Sequence, residues 1–309
     1  MAWRRSLLTA LAVVACGAVL PSLPAQASMK PIPGPAGAYR AVIPEPFVHG
    51  HYVSTAQLGA QLTACEQRLT KARSDSGQHV PTVVIVGASF TAGVGPGNPD
   101  GSWAALLVRR MGWDAVVYGD PGAGYVRPGI HRQGPVAREL SAVNLRALNP
   151  ALVIIQAGHN DMGVPAALEQ QRVKQAIAQI RATVPDAGIG LITVFTGRLR
   201  RPAAAQTDSE IVSAARAADP AVIIMDPLTG KWKYARIRDG LHPTAAGSAW
   251  IANEVAGILQ SRGVHPVLTA ARSGGPPDEK SDSMICDFGI HAPPAAQARP
   301  VIQLPTVTR

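Results

Sequence analysis

Charged side chains are scarce in this chain. Of its 309 residues only 16% are Asp, Glu, Lys or Arg, while 47% are hydrophobic. A chain that poor in charge and that rich in apolar residues is not wholly disordered, because it can bury enough surface to offset the entropy of ordering a core. No unit of 20 to 50 residues recurs along it, which excludes a solenoid. The apolar run from Leu7 to Leu20 is shorter than the roughly 20 residues a membrane-spanning helix needs. No nucleic-acid-reading motif is present. Cysteine is nearly absent, with three in all, whereas glycine (30) and proline (27) are plentiful. The composition describes a compact body with long irregular segments.

Residues 1–27 read as a secretory signal peptide. Arg4 and Arg5 give a positive start, Leu7 to Leu20 an apolar stretch, and Ala25-Gln26-Ala27 an A-x-A cleavage site. The alternative is a lipoprotein signal, with Val13-Val14-Ala15-Cys16 as the lipobox; export follows under either. Cleavage removes two basic residues and no acidic one, so 27 basic and 20 acidic residues remain and the net charge falls from +9 to +7. Such a charge favours anionic envelope polymers or serves solubility alone. Cys65 and Cys286 are left in an exported chain and are candidates for a disulfide.

Residues 28–79 divide into a proline-rich lead-in and a helix. His49-Gly50-His51 lacks a third ligand at useful spacing and reads as a surface loop. Leu58, Leu62, Cys65 and Leu69 recur at helical spacing over 55–73. From residue 80 strands and helices alternate. Strands are expected at 82–87, 114–118, 151–157, 188–195 and 221–226; helices are expected around 102–111, 135–147, 165–183, 205–217 and 243–262. This alternation predicts an α/β fold: three layers, α/β/α, around a five-stranded parallel sheet. Right-handed crossovers would bring the carboxyl ends of the strands to one edge. The body spans 80–263, and 264–309, rich in Pro and small residues, reads as an irregular tail.

Four stretches fall on that edge. Val83-Val84-Ile85-Val86-Gly87-Ala88-Ser89 is a buried strand ending in a glycine, with a serine beyond it on a tight turn, the place where open α/β sheets hold their chemistry. The second strand runs into Gly119-Asp120-Pro121-Gly122-Ala123-Gly124, a turn that lets a backbone N–H approach a ligand. It lacks the spacing of a dinucleotide fingerprint. The third strand runs into Gly158-His159-Asn160-Asp161. Asn160 can aim its amide into the site or close an Asx turn. His159 reads as a bystander with its ring on the loop surface, and Asp161 as a brace for the loop. Asp239-Gly240-Leu241-His242-Pro243 precedes the last helix and puts a carboxylate within reach of an imidazole. Each stretch alone is also compatible with an ordinary turn.

In their order and spacing the four stretches resemble the SGNH (GDSL-like) hydrolase family, and among its members the exported actinobacterial ones. The resemblance covers roughly 80–262. It implies a flavodoxin-like sheet and an ester hydrolase of esterase or lipase type, with Ser89 as nucleophile, His242 as base and Asp239 as its orienting partner. Ser89, Gly122 and Asn160 would form the oxyanion hole, with Gly124 the alternative to Gly122. The first block departs from the family in Ala88, which stands in place of an Asp that organises the turn, and in Phe90, which stands in place of Leu. The same residues would also serve a deacetylase or acyltransferase on envelope glycan or glycolipid, and a non-catalytic glycan-binding protein is the remaining alternative. The resemblance calls for no metal and no organic cofactor. The partner expected is a small or envelope-derived ester, with neither nucleic acid nor a transmembrane anchor, and the chain is expected to be a monomer that is secreted or held in the cell envelope.

Arg198, Arg200 and Arg201 follow the fourth strand, and Lys231, Lys233, Arg236 and Arg238 lead into Asp239. They read as a basic rim for an anionic substrate or as a solvated surface. Intact-mass spectrometry without reductant checks the readings of the termini. The exported chain should begin at Ser28, and reduction of a Cys65–Cys286 bond should add two hydrogens. Two free thiols would end the disulfide assignment.

Overall fold

The computed structural model describes residues 81–197, 201–266 and 285–287, together with helical positions 60, 63, 64, 67, 68 and 71. The latter are exposed and lie inside the helix expected at 55–73. The targeting segment, His49, His51, Cys65, Arg198 and Arg200 lie outside the described residues, as does most of the tail.

Among the described residues six strands form one sheet: β1 (Thr82–Gly87), β2 (Asp114–Gly119), β3 (Leu152–Gln156), β4 (Gly188–Ile192), β5 (Ile223–Met225) and β6 (Ile285–Asp287). Their order is β5-β4-β3-β1-β2-β6, and every pair is parallel. The helices are α1 (Trp103–Met111), α2 (Val136–Ala142), α3 (Leu145–Leu148), α4 (Ala166–Thr183), α5 (Arg201–Ala218) and α6 (Ala245–Ser261). The described body is thus an α/β/α sandwich. The five expected strands are all present.

Side-chain alternation along each strand divides the core in two. Val84 and Val86 of β1 face a cluster with Leu140 of α2, Leu145 of α3, Ile177 of α4 and Ile211 of α5. Val83 and Ile85 face the opposite cluster, with Leu107 of α1 and Ile251 and Leu259 of α6. Both faces of β1 are buried, which is why its sequence is continuously β-branched rather than alternating.

Two elements differ from expectation. The helix expected over 135–147 is broken in two. Val143 is extended, and the side chain of Asn144 accepts from Ala147 N at 3.1 Å, so an Asn that looked like a mid-helix residue caps a new turn instead. Within the stretch read as an irregular tail, Ile285–Asp287 adds a strand to the open edge of β2. Three residues are too few to show a periodicity, but they are enough to pair otherwise free backbone groups.

The order of the strands decides where a crevice can open. β1 lies between β2 and β3, so the chain leaves β1 towards one side of the sheet and returns on the other. This is the switch point at which loops diverge. The segment after β1 meets the segment before α6 at Gly95, whose φ is +113° and where an added Cβ would lie 2.0 Å from Pro243 O. Gly95→Ala should therefore cost about 1–3 kcal/mol in urea unfolding. A loss below a few tenths would show that the contact yields freely.

Candidate active site

Ser89 sits two residues past β1, on a turn closed by Ala92 N to Ala88 O (3.0 Å) and Val94 N to Ser89 O (2.9 Å). Its Oγ lies 2.8 Å from His242 Nε2, across 153 residues of chain. His242 Nδ1 lies 2.6 Å from Asp239 Oδ2. A carboxylate can only accept there, so Nδ1 carries the hydrogen and Nε2 is left to accept from the serine hydroxyl.

Asp239 is held in its turn. Its other oxygen accepts Leu241 N at 2.8 Å and His242 N at 2.9 Å. Burial raises its pKa, but the bond from His242 and those two N–H groups outweigh burial and bring it below the ordinary carboxylate value. The loop closes on itself through Ile237 N to His242 O (2.9 Å) and Thr244 N to Ala235 O (2.9 Å). Thr244 caps α6, its hydroxyl accepting from Gly247 N at 3.1 Å. Phe90 packs against the His242 ring at 5.3 Å between centroids and stacks on Phe195 at 4.1 Å, which gives the imidazole an apolar backing.

The loop after β2 is braced by two buried carboxylates. Asp120 accepts from His131 N (3.3 Å), Gln133 N (2.9 Å) and Gly134 N (3.4 Å). Asp161 accepts from Tyr125 N (2.6 Å), Val126 N (3.2 Å) and Arg127 N (3.0 Å). Burial pushes both carboxyls up and these N–H bonds pull them back. Within this loop Gly124 is already committed. Its N–H donates to Arg127 O at 3.0 Å, and an added Cβ would sit 2.2 Å from Asp161 Oδ2. Gly122, at φ +82°, is different: no acceptor among the described residues takes its N–H, and the same holds for Ser89 N. Asn160 Nδ2 donates to Ala123 O at 2.7 Å, which orients the side chain and leaves it a second amide hydrogen.

His159 is not turned to the loop surface. Its Nδ1 donates to Phe195 O at 2.8 Å, three residues beyond β4, and burial lowers its pKa. Its position next to the Asn gave no hint of this, because the partner is a main-chain carbonyl 36 residues away. Of the basic residues, Arg236 lies over the Tyr234 ring at 4.1 Å and donates to Thr196 O at 3.3 Å. Lys231, Lys233 and Arg238 are exposed. Arg201 opens α5. Cys286 lies in β6, opposite Val116. Sequence reasoning missed Gln156, whose side chain enters the turn that carries Ser89; the only signal was one amide at the end of an otherwise apolar strand.

Among the described residues no group of three or more His, Cys, Asp or Glu side chains could hold a metal ion, and no helix is long and apolar enough to cross a membrane. What the arrangement can do is activate a hydroxyl beside a pair of unpaired N–H donors, the equipment of nucleophilic acyl transfer.

Known proteins resemble the chain over the same region. The model of the GDSL-like lipase/acylhydrolase family matches residues 85–250, more than half of the chain. The GDSL lipase Rv0518 of Mycobacterium tuberculosis is 28% identical over 193 residues, which is 57% of this chain and 80% of that protein. One solved structure superposes with a TM-score of 0.50 at 19% identity, over 59% of this chain and 97% of its own, a likeness of fold. The crystal structure of TesA is 27% identical and covers 59% of this chain and 99% of its own at a TM-score of 0.48.

Behind the braced loop Glu169 is buried, and neither of its carboxyl oxygens has a hydrogen-bond partner among the described residues. Burial, and then the charge of Asp161, push its pKa up from 4.5 to about 8. A carboxyl raised on folding stabilises the native state most below its unfolded value, and stability declines as pH rises from about 4.5 to about 8. Glu169→Gln, which is neutral at every pH, should raise the melting temperature at pH 8 by roughly 3–8 °C and change it little at pH 4.5. A gain equal at the two pH values would contradict this.

Proposed function

Since the chain belongs to the GDSL-like lipase/acylhydrolase family, the SGNH hydrolases, we propose that it is an exported serine esterase that cleaves carboxylic esters through an acyl-enzyme on Ser89. The observation that carries the reading is the unbroken hydrogen-bond chain from Ser89 Oγ through the His242 ring to Asp239, at 2.8 and 2.6 Å.

A serine hydroxyl is a poor nucleophile until a base accepts its proton. His242 Nε2 accepts it as Oγ attacks the ester carbonyl, and Asp239 holds Nδ1–H and stabilises the imidazolium. The negative charge that develops on the carbonyl oxygen falls to Ser89 N–H, Gly122 N–H and the free amide hydrogen of Asn160. The imidazolium then returns its proton to the leaving alkoxide. Water adds to the acyl-enzyme with His242 again as base, and the acid departs. The mycobacterial relative's name, a lipase, fits an ester bond. Export rests on the signal read in residues 1–27. The exposed Lys231, Lys233 and Arg238 before Asp239 support an ester that carries anionic groups.

A fluorophosphonate should label the parent protein and leave Ser89→Ala unlabelled; equal labelling of the two would sink the assignment. Turnover of p-nitrophenyl esters should fall by more than about 10³ in His242→Ala and by about 10²–10³ in Asn160→Ala. With anionic and neutral esters in the panel, the double change Lys233→Glu, Arg238→Glu should lower the anionic-to-neutral ratio of kcat/KM by about threefold or more at low salt. An unchanged ratio rejects the anionic preference.

A further inference from the structure

The turn that carries Ser89 has no acceptor side chain of its own beside the serine, since residue 88 is alanine. The acceptor comes from the neighbouring strand. Gln156, the last residue of β3 and only 1% exposed, reaches into the turn. Its Oε1 accepts Ala88 N at 3.3 Å, Thr91 N at 3.3 Å and Thr91 Oγ1 at 3.0 Å. Its main-chain oxygen also accepts Ala88 N, at 3.1 Å. One residue therefore grips the turn on both sides of Ser89.

The fit around it is close. Gly87, paired with Gln156 across β1 and β3, has no room for a side chain. An added Cβ would lie 2.6 Å from Gln156 O, 2.6 Å from Thr91 Oγ1 and 3.0 Å from Gln156 Cβ. Thr91 is completely buried, so its hydroxyl has no water to turn to if the amide oxygen is withdrawn. Three donors converging on one neutral oxygen in a dry site set the pitch of the turn, and with it the direction of Ser89 Oγ and Ser89 N–H. A charge in that position is not needed for the purpose: an amide oxygen accepts as a carboxylate does, without placing an anion close to His242.

We propose that Gln156 is the positioning residue for Ser89: its side-chain oxygen fixes the turn so that the hydroxyl meets His242 and the backbone N–H faces the oxyanion. The inference rests on Ser89 being the nucleophile. Gln156 touches neither the ester nor a reacting atom, so its loss acts on kcat rather than on KM. Displacing a nucleophile by about 1 Å costs on the order of 10²-fold.

The test compares Gln156→Leu, Gln156→Glu and Thr91→Val with the parent, by kcat and KM on p-nitrophenyl acetate and by amide exchange at Thr91. Gln156→Leu should lower kcat by about 10- to 100-fold with KM within about threefold, and exchange at Thr91 should quicken at least about tenfold. Gln156→Glu keeps an acceptor in place and should restore both towards the parent. A folded Gln156→Leu with kcat and Thr91 exchange within twofold of the parent overturns the proposal, and so does a Gln156→Glu that behaves like Gln156→Leu. If Gln156→Leu does not fold, Thr91→Val decides. A drop of about threefold or more in kcat at constant KM upholds the proposal, and an unchanged kcat rejects it. Failure of the parent to take a fluorophosphonate label would strike the Ser89 assignment instead, while exchange at Thr91 would still report on the grip of Gln156.

Discussion

Register between β1 and its two neighbours governs the site. Gly87 is paired with Gly119 of β2 and with Gln156 of β3, and Gln156 is in turn paired with Ile192 of β4. Parallel strands hydrogen-bond only in registers that bring their ends to defined levels, and here the ends form one row. The segments carrying Ser89, Gly122 and Asn160 all start from it. A slip of one residue would turn every side chain of β1 to the opposite face, and both faces are packed.

Above that row the order of the loops comes from polar acceptors rather than from apolar packing. Asp120 and Asp161 each gather three backbone N–H groups, Asp239 gathers two and an imidazole, and Gln156 holds the turn of Ser89. Loop backbone cannot satisfy its own donors as a helix does, so a side-chain acceptor at the centre of each loop selects one conformation. The same commitments leave Ser89 N and Gly122 N without an acceptor among the described residues. A donor already held in position needs little reorganisation when charge appears before it.

The aromatic cluster behind His242 works in a complementary way. Phe90 and Phe195 are stacked, and Tyr234 meets both edge-on, its hydroxyl donating to Leu241 O at 2.9 Å. A rigid apolar wall on one side and Asp239 on the other restrict the imidazole to the plane in which Nε2 meets Ser89. Phe90, a departure from the Leu usual in the family, supplies the face of that wall.

The sequence by itself determined the layers and the identity of the chemical groups. The β-branched run at 82–86 and the apolar runs at 115–118 and 152–155 can be satisfied only between two packed faces, and Ser, Asn, Asp and His beyond the strands marked a single edge of the sheet. Local pattern reaches that far because burial and alternation are properties of neighbours in the chain. The rest depended on residues far apart meeting. Gln156 reads as the end of a strand until Ala88 and Thr91 are set against it. Gly124 looks as free as Gly122 until Asp161 and Arg127 close on it. Asn144 looks helical until it caps, and Ile285–Asp287 has no strand signal until β2 offers an edge. Only the tertiary structure decides such cases, because a hydrogen bond depends on where its two atoms lie in space, and the separation of the residues along the chain carries no record of that.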